Sequence, residues 1–155
     1  MSVEITGENC GEDSRKGWMS LLAKAPGARL AALVEGVEDW PAFQWLRVPE
    51  VGGVMVRGRM GGTGAAFNLG EMTVTRCALR LESGEVGHAY VQGRDKRHAE
   101  RAAVIDALMQ TGRAEALRDA VLAPLEAEAA ARRAARAAKA AATKGDFFTL
   151  VRGED

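Results

Sequence analysis

The sequence predicts an α+β fold: N-terminal helices, a four-stranded antiparallel meander, then C-terminal helices that include a long alanine-rich helix and an extended tail. Three observations carry this reading. Before Trp40, apolar residues recur at helical spacing. Between residues 43 and 92 they fall in short alternating runs separated by glycine-containing turns. Past residue 125 the chain is built from alanine, arginine, glutamate and lysine, all of high helix propensity. At 155 residues one folding unit can bury a core of its own. Aromatic residues make up only 5% of the chain, so that core lacks large side chains and invites help from a partner.

Residues 1–13 read as a flexible leader. Ser14 is placed to cap a helix over 14–25, with Trp18, Leu21, Leu22 and Ala25 on one face. Pro26 and Gly27 end it. A second helix, 28–37, presents Leu30, Leu33, Val34 and Val37. The runs 43–48 and 54–60 are expected to form a hairpin whose turn spans 49–53, with Gly52 and Gly53 supplying positive φ. Strands at 72–81 and 86–92 complete the meander. In the third strand Met72 and Val74 share one face, but Cys77, Leu79 and Leu81 share the other. Either a bulge lies near Arg76 or both faces are covered.

Residues 95–110 form the next helix, with Ala99, Ala102, Ala103 and Asp106 on one small-residue stripe. A carboxylate there needs a partner, and Arg76 is a candidate. A further helix spans 113–122. Pro124 marks a kink or the first position of a new helix. Past Leu125, up to residue 143, large apolar residues are absent, so this helix is expected to project, supported by pairs such as Glu128 with Arg132. The expected organisation is a leader (1–13), an α+β core (14–126) and a projecting helix with an interaction tail (127–155).

The totals exclude several classes. Lys+Arg and Asp+Glu both number 21, so no global field draws the chain to nucleic acid or membrane. Cys10 and Cys77 make neither a disulfide scaffold nor a zinc ribbon. No apolar run reaches membrane-spanning length and no signal-peptide core appears, so a cytoplasmic protein is expected. His98-Ala99-Glu100 echoes the H-x-E of zinc deaminases, but the P-C-x-x-C that must accompany it is missing. No nucleophile motif is complete. His88 reads as a hydrogen-bonded strand residue, and Cys77 as a small buried hydrophobe.

Three segments remain as candidate sites. Arg59, Gly61, Gly62, Thr63 and Gly64 form either an anion loop, with backbone N–H groups converging on phosphate, or a turn whose glycines serve geometry alone. Arg94, Asp95, Lys96, Arg97, His98 and Glu100 crowd the start of a helix. Its basic members either grip an oxyanion or form a solvated face, while Asp95 is suited to cap the helix. Basic groups are disfavoured at a helix start, which leans toward a ligand or interface role. In the tail, Phe147, Phe148, Leu150 and Arg152 either bind a partner or fold back on the sheet.

Four ordered segments carry a resemblance. They are Trp18-Met19; RMGGTG at 59–64 with Thr75-Arg76; VQGRDKRHAE at 91–100 with IDALMQ at 105–110; and DFFTLVRG at 146–153. From residue 17 to 153 the chain resembles the PhnG family, a subunit of bacterial carbon–phosphorus lyase. The resemblance implies a core complex with PhnI, PhnH and PhnJ, and PhnL as functional partner. It implies support for transfer of an alkylphosphonate to ribose C1 of ATP, releasing adenine and forming ribose 1-methylphosphonate 5-triphosphate. PhnI would be the nucleosidase-type catalyst, and PhnJ would later cleave the carbon–phosphorus bond. ATP is then a substrate of the complex, with no cofactor held by this chain, which alone is expected to be inactive. No catalytic residue carries over. The alternative is a purely structural subunit that never touches substrate.

Overall fold

The computed structural model describes residues 9–143. The elements run α1 (Asn9–Lys24), α2 (Gly27–Glu35), β1 (Phe43–Arg59), β2 (Ala66–Leu81), β3 (Val86–Gln92), α3 (Lys96–Leu108), α4 (Ala114–Leu117) and α5 (Ala123–Ala142). The α+β class and the helices on either side of the sheet in sequence match the expectation. Among the described residues the sheet has three antiparallel strands in the order β1-β2-β3, not four.

The missing strand is a merger. The turn expected at 49–53 does not form, and β1 runs through it, with Gly52 paired to Val74 and Gly53 to Thr73. Neither glycine takes positive φ; that conformation falls instead on Gly61 (61°) and Gly62 (81°) in the short 3-10 turn Met60–Gly62. A ladder to β2 that is continuous from Glu50 to Val56 outweighs the local turn preference of a Gly-Gly pair. Pro49 cannot donate to a ladder, and the β1 register shifts between Arg47 and Glu50, an irregularity an edge strand tolerates. The bulge therefore lies on β1. Along β2 the pairing with β3 is regular from Val74 to Arg80. Val74 and Thr75 are adjacent and both buried, so both faces of β2 are covered there.

The core lies between one face of the sheet and the helices. Leu79 and Leu81 of β2, with Ala89 and Val91 of β3, meet Ala99, Ala102, Ala103 and Ile105 of α3. Leu22 from α1, Leu30 from α2, and Val121, Leu122 and Leu125 close its far side. The alanine stripe of α3 brings helix and strand unusually close: a Cβ on Gly87 would sit 1.9 Å from the carbonyl oxygen of Ala103. The first helix begins at Asn9, so Ser14 lies inside it rather than at its cap. Between α4 and α5 one turn, Arg118–Leu122, is π-helical. Pro124 at the start of α5 donates no backbone hydrogen bond, and the wider turn passes the chain into the new helix without a break. Glu128 pairs with Arg29 of α2 at 2.7 Å rather than with Arg132. Beyond it, residues 131–143 are exposed throughout.

Asp106 is fully buried, and its partner is not Arg76. Arg15 donates to it through Nε (3.1 Å) and a terminal nitrogen (2.7 Å), Trp18 through Nε1 (2.9 Å), and the backbone N–H of His88 at 2.9 Å. Arg76 instead bonds Glu50 on the surface. One carboxylate thus ties α1, β3 and α3 together.

Candidate functional site

The helix start that crowds polar groups is real, but its members divide. Asp95 is the N-cap of α3, accepting from the His98 N–H at 2.9 Å. His98 is buried, with Nε2 2.8 Å from the carbonyl oxygen of Leu22, so its ring is spent on holding α1. Arg94, Lys96 and Arg97 are exposed and Glu100 is half-buried. Among the described residues Arg94, Lys96 and Arg97 have no ion-pair partner, so the cationic groups of the cluster are these three side chains around the cap.

The glycine segment lies at the tip of a long β1–β2 hairpin. Arg59 donates to the Gly64 carbonyl oxygen at 3.0 Å, and the Gly64 N–H to that of Met60 at 2.9 Å. The turn is thus closed on itself, with Gly61, Gly62 and Thr63 exposed. Pairing of β2 with β3 stops at Val74 opposite Gln92, so residues 66–73 and their β1 partners extend past the third strand. At about 3.3 Å per residue this is roughly 20–25 Å of unsupported ribbon. It separates the tip from Arg94, so the two candidate segments do not converge on one ligand within this chain.

That ribbon is the feature sequence reasoning missed. Its apolar side chains are open: Met55 is 53% exposed, Phe67 43% and Leu69 66%, with Met60 at the tip 78%. Phe67 and Leu69 both lie over Gly58, so they share a face. Along β1, Leu46, Val48 and Val51 are exposed as well. Between residues 53 and 73 the charged side chains are Arg57, Arg59 and Glu71, so the ribbon carries one net positive charge. The signal in the sequence was apolar residues on both arms of the tip, Val54, Met55 and Val56 before it and Phe67 and Leu69 after it.

Two hollows flank the sheet. One, about 570 Å³, runs between α1 and β3 and is lined by Arg15, Met19, Ala23, His88 and Tyr90, among others. The other, about 850 Å³, lies against Val54, Met72, Tyr90 and Gln92, with Arg136 of α5 at its rim. Among the described residues no three His, Cys, Asp or Glu side chains cluster as metal ligands. No helix there is long and apolar enough to cross a membrane. The tail residues Phe147, Phe148, Leu150 and Arg152 lie outside the described residues.

Burial pushes the Cys77 thiol up to about 11, with the charge of Glu100 adding to the effect. At pH 8 only on the order of one thiol in a thousand is then ionised, and the thiolate is the nucleophile. In a Cys10→Ser chain, Cys77 is expected to resist a thiol-alkylating reagent at pH 8 and to react fully in denaturant. Rapid native-state labelling would contradict its burial. Because the folded value lies above the ordinary 9.0, the stability linked to this group is complete below pH 9 and lost as pH rises through about 11.

The structure thus defines a small α+β protein whose free functional groups lie on open surfaces, above all on a projecting β-ribbon. Comparison with known proteins agrees with one assignment. A family model described as phosphonate metabolism protein PhnG matches residues 13–153. The "Alpha-D-ribose 1-methylphosphonate 5-triphosphate synthase subunit PhnG" of Rhizobium meliloti (strain 1021) is 45% identical over 159 aligned positions, covering 100% of this chain and 99% of the relative. The chain belongs to the PhnG family.

Proposed function

We propose that this chain is an accessory subunit of a ribose 1-methylphosphonate 5-triphosphate synthase in phosphonate utilisation. Its full-length relative is a subunit of that enzyme by name. The observation that carries the reading is the β1–β2 ribbon. An isolated two-stranded ribbon is marginal in water, and this one leaves Met55, Phe67 and Leu69 open along its length. Such a ribbon gains its stability from a second protein surface. In this reading it docks on PhnI, the nucleosidase-type subunit that transfers the phosphonate to ribose C1 of ATP, while PhnH, PhnJ and PhnL complete the system. For direct contact with nucleotide phosphate the reading assigns the exposed Arg94 and Lys96, with the ribbon tip acting separately on the partner.

A reconstitution tests this. Adenine release from ATP and methylphosphonate is measured with PhnI, PhnH and PhnL, with and without this chain, and PhnI solubility is followed in each mixture. The Phe67→Asp/Leu69→Asp variant is expected to keep its melting temperature, because both side chains are already exposed. It should lose co-purification with PhnI and at least 10-fold in adenine release. Undiminished binding by that variant would remove the ribbon from the interface. Arg94→Ala separates contact from assembly: lower turnover in a complex that still forms supports the phosphate role, and unchanged turnover ends it.

A further inference from the structure

We infer that the free edge of β3 is a docking groove for the chain's own C-terminal tail, taken up as a fourth, antiparallel strand. Even-numbered residues of β3 direct their backbone groups away from β2: the His88 N–H points to Asp106, and the Val86 carbonyl to Arg15 and Gln110. The same alternation turns the N–H and C=O groups of Tyr90 and Gln92 outward, along with the His88 carbonyl. Among the described residues none of these has a hydrogen-bond partner. The edge is therefore sealed by side chains at its Val86 end and open at its Gln92 end. Open edges recruit strands, and the groove of about 570 Å³ between this edge and α1, with Met19, Leu22 and Ala23 as its wall, leaves room for one.

Reach, length and charge select the tail. Arg136 of α5 stands at the Gln92 end, and the described chain stops seven residues later at position 143, about 10 Å further along the helix. Residues 144–155 extend up to roughly 40 Å. Lys144, Gly145 and Asp146 suffice for the return. Phe147, Phe148, Thr149, Leu150 and Val151 then match the open stretch in length and strand propensity. Entering at Gln92, the tail runs against β3. This carries Glu154 and Asp155 toward the other end of the groove, where Arg15 and Lys16 lie.

Amide hydrogen exchange on the isolated protein tests it. A chain ending at Gly145 should exchange the Tyr90 and Gln92 amides at least 10-fold faster than the full chain, with Leu79 unchanged. A synthetic peptide of residues 146–155 at saturating concentration should restore the protection. The full chain should show the same protection after 10-fold dilution. Equal exchange in both chains would overturn the proposal, as would protection that disappears on dilution, which indicates a second copy. Should the shortened chain not fold, Thr149→Pro/Leu150→Pro in the full chain decides in the same way. It removes the tail N–H facing β3 whichever side is turned inward.

Discussion

Asp106→Ala is expected to lower the melting temperature by roughly 10 °C. The substitution strips the acceptor from Arg15, from the Trp18 indole and from the His88 backbone N–H at once. Breaking a buried ion pair on one side costs about 3–5 kcal/mol. The lower end applies, because the Arg15 side chain keeps 33% of its surface in water and finds solvent when released. For a chain of this length each kcal/mol is worth about 2–4 °C. Asp106→Asn should fall between the unsubstituted chain and Asp106→Ala, since one carboxamide oxygen still accepts while its NH₂ faces donors. Arg15→Ala should cost at least as much as Asp106→Ala, because it leaves a fully buried carboxylate without a cation, held only by the indole and backbone donors. Thermal unfolding followed by circular dichroism measures all three. A shift below 2 °C for Asp106→Ala would mean that water replaces the carboxylate without penalty.

Gly87→Ala should be comparably damaging by an unrelated route. The new methyl would sit 1.9 Å from the Ala103 carbonyl oxygen and 2.9 Å from its carbon, both backbone atoms, and 2.9 Å from the Ala107 Cβ. No rotamer relieves a clash with main chain, so α3 must lift from β3. Overpacking costs about 1–3 kcal/mol and occasionally more; here the upper end or beyond is expected. Gly52→Ala is the control, because a Cβ there meets nothing within 4 Å and its φ is ordinary. Denaturant unfolding should separate the two substitutions by at least 2 kcal/mol. Equal midpoints would show that α3 and β3 are free to part.

Local rules made some elements legible in the sequence and failed on others for stated reasons. Asp95 as helix cap, β3 at 86–92, the alanine stripe of α3 and burial of Cys77 rest on short-range pattern, and the structure has all four. The fourth strand failed because two adjacent glycines read as a turn, while the ladder to β2 that straightens them is formed by residues 22 and 20 positions away. Positive φ fell on Gly61 and Gly62, glycines that had also been legible as an anion loop. Arg15 escaped notice as the partner of Asp106 because the two are 91 positions apart, with Arg76 a plausible rival in the sheet. His98 read as a surface group of a polar cluster, but its ring lies beneath α1. Of the candidate site, the cationic groups at 94–97 were legible and the docking ribbon was not. Exposure of Phe67 and Leu69 depends on β3 ending at Gln92, a tertiary fact that no local pattern contains.

The carboxylate that joins α1, β3 and α3 also orders events during synthesis. Arg15 and Trp18 are made before the acceptor they share, which arrives 91 and 88 positions later. At about 5–20 residues per second, that is a wait of roughly 5–20 s. Throughout it the first helix has neither its acceptor nor the α3 surface that covers Leu22. The apolar face of α1 thus waits for α3 to be made, and a nascent polypeptide stalled before residue 106 carries that face open.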